Sequence, residues 1–264
     1  RSEMCIRDSG IPVEQSNPEY AEGQVEVNIR YDEALLAADR VIIFRNLVKQ
    51  MAFKHGYKAT FMAKPFFEQS GSGFHCHYSL WKGGKNIFAE SGKLSQTGKY
   101  FVGGLQKRMA EAAICGSATV NGFRRRQPYT FCPVNNAWGI DNRTVGIRVI
   151  EGSDTSTRVE KRDAGADCNP YLLIATDIAA GLDGIKEKIE PAEMTTGNAY
   201  ESETADPIPT DLRDAIKLAR GSEWLKNIIG DDLYEIALQQ SERELELFSQ
   251  QVTPFELNRY RDVF

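Results

Sequence analysis

Hydrophobic and polar positions alternate with period two through much of the first part of this chain and repeat with helical period through the last part. Gly10–Gln15 and Val25–Arg30 read as strands around a turn at Asn17–Gly23, with Val25, Val27 and Ile29 alternating with Glu26, Asn28 and Arg30. Asp32–Lys54 is the strongest helix, with a broad apolar stripe that stops near Gly56. Alternation returns at Thr60–Met62 and Phe74–Leu80, a turn follows at Gly83-Gly84, and Ser95–Cys115 reads as a second long helix. Arg124–Asp141 reads as a polar and aromatic loop broken by Pro128 and Pro133, followed by strands at Val145–Ile150 and Thr157–Arg162. Pro170–Ile189, Pro209–Gly221, Ser222–Ile229, Asp231–Gln250 and Pro254–Asp262 then read as helices, the first two separated by an acidic linker, Glu190–Pro207. Strands that lead and helices that follow predict an α+β fold rather than a parallel doubly wound sheet.

Composition narrows this picture only modestly. With 264 residues, 41% apolar and 26% charged, the chain can bury a substantial core. A formal net charge of -5 argues against a general nucleic-acid binder. No apolar run approaches a membrane span, no secretory leader is visible, and the five cysteines form no CxxC, so a reduced, cytoplasmic protein is expected. Residues 1–9 (RSEMCIRDS) lack any period and read as a fragment boundary or foreign junction, with the folded domain expected over 10–264.

The polar faces of the strands change the picture more. In Phe74–Leu80, Phe74, Cys76, Tyr78 and Leu80 line one face while His75, His77 and Ser79 share the other. Glu26, Asn28 and Arg30 form a second such face, and Arg158, Glu160 and Arg162 a third. Carboxylates with an imidazole suit Mg²⁺ or Mn²⁺, and arginine binds phosphate or carboxylate bidentately. Arg124, Arg125, Arg126, Arg143, Arg148, Arg158 and Arg162 make one arginine-dense stretch, which favours an anionic substrate.

Five stretches carry a family resemblance: ATFMAKPFF (59–67), GSGFHCHYSLW (71–81), DNRTVGIRV (141–149), RVEKRDAGADCNPY (158–171) and AAGLDGIKEKIEP (179–191). In order and spacing, from about Gly10 onward, the chain resembles the catalytic domain of glutamine synthetase. The resemblance implies a curved antiparallel sheet forming an active-site funnel, surrounded by helices. It also implies two divalent cations, ATP entering one end, and glutamate with ammonia or an organic amine at the other. The family's Glu-x-x-x-Gly-Gln-x-Glu motif stands here as Glu19–Glu26, whose outer carboxylates match ligands of one metal; His75 and Glu160 match ligands of the second. Glu14, His77 and Ser79 match positions near the nucleotide, and Arg148 and Arg158 match phosphate-side arginines. Arg125, Arg143 and Arg162 match groups that hold the glutamate carboxylate and stabilise the transferring phosphoryl group, and Ser70 and Gly71 match glutamate contacts. The implied chemistry is phosphorylation of the γ-carboxylate of glutamate by ATP, followed by displacement of phosphate by an amine.

Departures from the family pattern point within it. Ammonia-using members carry a flap glutamate, and Phe131 stands at that position in Tyr129–Val134. A phenyl ring packs against a carbon substituent and cannot take a proton, so an organic amine is the expected donor, with ammonia as the alternative. Ser70 replaces a common asparagine, and Thr155 replaces a lysine three residues before Arg158. The family's N-terminal β-grasp domain and two further metal-binding carboxylates are expected upstream of this sequence, so these residues alone are expected to have negligible ligase activity. The resemblance further implies a ring-shaped homo-oligomer for the full-length parent. Two other readings compete: a non-catalytic relative of the same fold, which retention of the acidic, imidazole and arginine positions argues against, and a phosphoguanidine kinase, for which no motif is present.

Overall fold

The computed structural model describes residues 9–264. The junction expected over residues 1–9 lies, Ser9 apart, outside the described residues, as does Cys5. In chain order the elements are β1 (Val13–Pro18), β2 (Val25–Ile29), α1 (Ala34–Lys54), β3 (Cys76–Tyr78), β4 (Trp81–Lys82), β5 (Lys85–Asn86), β6 (Ala89–Glu90), β7 (Lys93–Leu94) and α2 (Gln96–Arg108). There follow α3 (Ala113–Gly116), α4 (Val120–Arg124), β8 (Trp138–Ile140), β9 (Ile147–Ile150), β10 (Arg158–Lys161), α5 (Pro170–Glu187) and a 3-10 turn at Ala199–Glu201. The chain closes with α6 (Leu212–Arg220), α7 (Glu223–Ile229), α8 (Asp231–Ser249) and α9 (Pro254–Tyr260).

A four-stranded sheet in the order β3-β10-β9-β8 carries the candidate site. Its first three strands are antiparallel, and β8 joins β9 in parallel. The α+β class follows, with a parallel edge added to the antiparallel sheet. β8 lies inside what reads in sequence as a loop: three residues show too little alternation, and the strand exists because Trp138 pairs with Ile147. The alternation at Thr60–Met62 does not become a strand; the Thr60 hydroxyl instead accepts from the Met62 amide, a local turn. The helix expected over Ser95–Cys115 breaks after Arg108 into α2 and the short α3. Gly83-Gly84 does turn a hairpin, β4–β5, with both glycines at positive φ.

The sheet's apolar face rests on α2 and α5. Tyr78, Ile147, Val149 and Val159 pack with Phe101, Leu105 and Met109 from the α2 side and Ile174 from α5. Ser95 caps α2 by accepting from the Gly98 amide, and Asn169 caps α5, whose first residue is Pro170. The two helices approach closely because Gly104 faces Ala180: a Cβ on Gly104 would stand 2.0 Å from the Ala180 carbonyl oxygen. The β1–β2 hairpin has its own cover, with Ile11 and Val13 packed against Val27, Ile29 and the α1 residues Phe44, Leu47 and Val48. The later helices build a second core around Leu212, Ile216, Leu225 and Leu238. Among the described residues, no helix is long and apolar enough to cross a membrane.

Candidate active site

Period-two geometry brings the polar face of the sheet to one focus, Glu160. In the ladder Glu160 pairs with His77 on β3 and with Arg148 on β9. Its side chain is only 3% exposed and accepts from Arg162 Nη1 at 2.7 Å and Arg148 Nη1 at 3.3 Å. His75 Nδ1 lies 3.3 Å from Glu160 Oε1, and His77 Nε2 lies 3.9 Å from the same oxygen. One buried carboxylate thus gathers two guanidinium groups and two imidazoles.

Both histidines are held neutral. Burial in the concave face, followed by the charges of Arg162 and Arg125, pushes His75 well below its ordinary value. Burial also lowers His77, against the opposing pull of Glu160 and with help from Arg158. Arg158 Nε donates to His77 Nδ1 at 3.2 Å, which makes Nδ1 the acceptor and leaves the ring proton on Nε2, facing Glu160. A neutral imidazole is the form that ligates a metal.

Arg125 crosses the glycine turn ahead of β3. It is buried, and its Nη1 and Nη2 donate to the carbonyls of Asp163 and Arg162. The turn is glycine-rich because the guanidinium occupies the space side chains would need. A Cβ on Gly71 would meet the Ala63 carbonyl oxygen at 2.6 Å, and one on Gly73 would meet Arg125 Nη2 at 2.5 Å. Ser70 is half-buried beside this turn, and Gly71 O accepts from Gln24 Nε2 at 3.1 Å.

Gln24 ties the β1–β2 hairpin to the sheet site. Its amide also donates to Ser72 Oγ at 3.0 Å, and its oxygen accepts from the Ala21 amide. That clamp positions Glu19 and Glu26, which perturb each other's titration. Hydrogen bonding to Glu26, then burial, raises the Glu19 carboxyl; the same bond, against burial and with help from Asn28, lowers Glu26. Arg143, exposed in the loop between β8 and β9, lowers both electrostatically.

These two pairs, Glu19 with Glu26 and His75 with Glu160, have the donor chemistry of a Mg²⁺ or Mn²⁺ site. Two neighbouring carboxylates repel each other when both are charged, and a cation relieves that repulsion. Each pair offers two ligands, and no group of three or more His, Cys, Asp or Glu side chains converges on one point among the described residues. The residues therefore fit part of a coordination shell at each position.

The remaining sequence-predicted residues lie at the rim. Ser79 accepts from Trp81 Nε1 at 3.0 Å, and Arg148 reaches outward to Asp141 as well as inward to Glu160. Glu14 is exposed at the irregularity in β1 between Val13 and Gln15. Thr155 sits in an exposed turn, bonded to Ser153. Phe131 projects from the loop after α4, 58% exposed, with its ring centroid 5.3 Å from that of Tyr20.

Two features escaped the sequence reading. Gln24 was legible only as a motif letter, because its role depends on a contact across the fold. On the opposite face of β10, Lys161 lies between Asp163 at 3.0 Å and Asp177 at 2.8 Å, with Arg126 beside Asp163 and Tyr78 donating to Asp177. All five side chains are buried, so the Glu160 strand is fixed from behind by charge as well as by packing.

Residues 2–260 match the family described as glutamine synthetase, catalytic domain. This chain belongs to the glutamine synthetase family. Similar relatives include a glutamate–isopropylamine ligase of a Pseudomonas species, 39% identical over 98% of this chain and 58% of the relative. A glutamine synthetase of Methanosarcina mazei is 36% identical over 98% and 60%, and a gamma-glutamylethanolamide synthetase of Streptomyces coelicolor 38% identical over 98% and 55%. A solved structure of GmaS without ligand superposes with a TM-score of 0.90 at 33% identity, over 99% of this chain and 62% of that one. A GmaS–ADP complex superposes with a TM-score of 0.91. The chain thus spans little more than half the length of these relatives of the glutamine synthetase family.

Proposed function

We propose that the protein carrying this chain is an ATP-dependent ligase that joins the γ-carboxylate of glutamate to an organic amine through a γ-glutamyl phosphate. The observation that carries the reading is the gathering of His75, His77, Arg148, Arg158 and Arg162 around Glu160 on one sheet face. Carboxylate and amine do not condense at neutral pH because the carboxylate is a poor electrophile. Transfer of the ATP γ-phosphoryl group to the carboxylate oxygen supplies a leaving group; the amine nitrogen then bonds the acyl carbon, the C–O bond to phosphate breaks, and the nitrogen sheds a proton. Arg148, Arg158 and Arg162 orient and neutralise the phosphoryl oxygens, and Arg125 fixes the glycine turn where glutamate binds. Mg²⁺ or Mn²⁺ held by Glu19 with Glu26 and by His75 with Glu160 supplies further neutralisation of phosphate charge when bound.

Phe131 supports the organic amine. It offers the donor an apolar surface where a carboxylate would attract ammonium, and relatives named for isopropylamine and ethanolamide products accord with that. Ammonia is the second reading, favoured by the relatives named glutamine synthetase at similar identity. Phosphate release by the complete protein, with ATP, glutamate and a panel of amines, tests the proposal. It predicts release that depends on an alkyl or aryl amine and exceeds that with ammonium. Release with ammonium alone, or none that depends on glutamate, would contradict it.

A further inference from the structure

Tyr20 stands directly after Glu19, and 78% of it is exposed. Its ring meets that of Phe131 from 111 positions away in the sequence, with planes inclined at 55°. At that separation the two rings are in contact and present one continuous, exposed aromatic surface. Phe131 itself is held at φ +61, in the left-handed region that bulky residues seldom adopt. Such strain persists only where neighbours enforce it. Here they do: Tyr129, also at positive φ, packs on Tyr200 with centroids 5.1 Å apart, and the Tyr200 hydroxyl lies against the Phe131 backbone. Thr130 Oγ1 donates to the carbonyl of Gln127 at 2.7 Å, closing the turn beneath.

We propose that Tyr20 is a specificity-determining residue, whose ring extends the apolar surface that Phe131 offers the amine. The donor it selects is a primary monoamine with an alkyl or aryl substituent. The substituent lies against the two rings, and the nitrogen end points toward Glu19, the residue before Tyr20. Aromatic faces favour both parts of such a molecule, by apolar contact with the carbon chain and by attraction of the cationic form in transit. Ammonium has no substituent to place there and gains little from Tyr20. The inference rests on the ligase reading above and extends it to a residue outside the metal and phosphate sets.

The test uses the complete protein and compares kcat/KM for methylamine, isopropylamine and benzylamine with that for ammonium. In Tyr20→Ala the ratio of benzylamine to ammonium falls by about tenfold or more, since contacts of this size discriminate by roughly 10- to 200-fold. The fall is steepest for the bulkiest amine, and KM for ATP and glutamate stays within about twofold. Tyr20→Phe, which keeps the ring, holds the wild-type ratio; Tyr20→Val replaces Tyr20→Ala should that variant fail to accumulate. An equal loss for all donors, or a ratio that stays or rises in Tyr20→Ala, overturns the role of Tyr20 while wild-type preference for an organic amine leaves the ligase reading intact. Wild-type preference for ammonium overturns both.

Discussion

Gly73 lies beneath Arg125 so closely that a Cβ there would stand 2.5 Å from Nη2 and 2.9 Å from His75 Nε2. The glycine turn and the buried guanidinium are therefore one construction, and a single methyl group tests it. Gly73→Ala should displace Arg125 from the Asp163 and Arg162 carbonyls and cost about 1–3 kcal/mol of stability by overpacking. Urea denaturation measures this; a variant as stable as the parent would contradict the arrangement.

Glu160 is the hinge of the site's electrostatics. Glu160→Gln keeps the shape but removes the charge that Arg148 and Arg162 share, leaving like charges facing each other in a buried setting. A loss of about 3 kcal/mol is expected, the low end for breaking a buried pair. The same variant should weaken stabilisation by Mn²⁺, which is expected to raise the parent's Tm and to be reversed by chelation, leaving only the share due to Glu19 with Glu26. Differential scanning calorimetry with and without Mn²⁺ checks both; full Mn²⁺ stabilisation of Glu160→Gln would remove Glu160 from the ligand set.

Three thiols weaken the fold as pH rises into the alkaline range. Burial pushes Cys76, Cys115 and Cys168 from 9.0 up to about 12. A raised pKa means that the folded state binds the proton more tightly than the unfolded one. Their contribution to stability is therefore complete below pH 9 and drains away as pH rises from 9 toward 12. The urea midpoint should hold level up to pH 9 and fall above it, and these thiols should resist alkylation at pH 8 until the protein unfolds. A midpoint unchanged at pH 11 would contradict that account.

Much of this site was legible in the sequence because it rests on period two. The alternation in Phe74–Leu80 assigned His75 and His77 to one face and Tyr78 to the core, as the structure has them. The same held for Glu160 and Arg162, now joined at 2.7 Å. What stayed hidden depends on distant partners. β8 is three residues long and owes its strand character to β9, and Lys161 sits among acids that no local pattern links to it. Thr60–Met62 alternates but finds no strand to pair with, so pattern alone misled there. The contacts of Gln24 and Tyr20 were similarly invisible, since each reaches a loop far along the chain.

The proposed role of Phe131 in donor choice is tested by a carboxylate at the same position. Phe131→Glu places a carboxylate against Tyr20, where it is expected to attract ammonium and accept its proton. The ratio of kcat/KM for ammonium over isopropylamine should rise by about tenfold or more, within the range attributed to a positioned proton acceptor and lost apolar contact. An unchanged ratio would detach donor choice from this position.

The most direct measurement is a competition. The complete protein is given ATP, glutamate and Mg²⁺ with equimolar ammonium and isopropylamine, and the products are separated by mass. The account predicts that γ-glutamylisopropylamide exceeds glutamine, with one phosphate released per amide formed. Glutamine as the dominant product would contradict it.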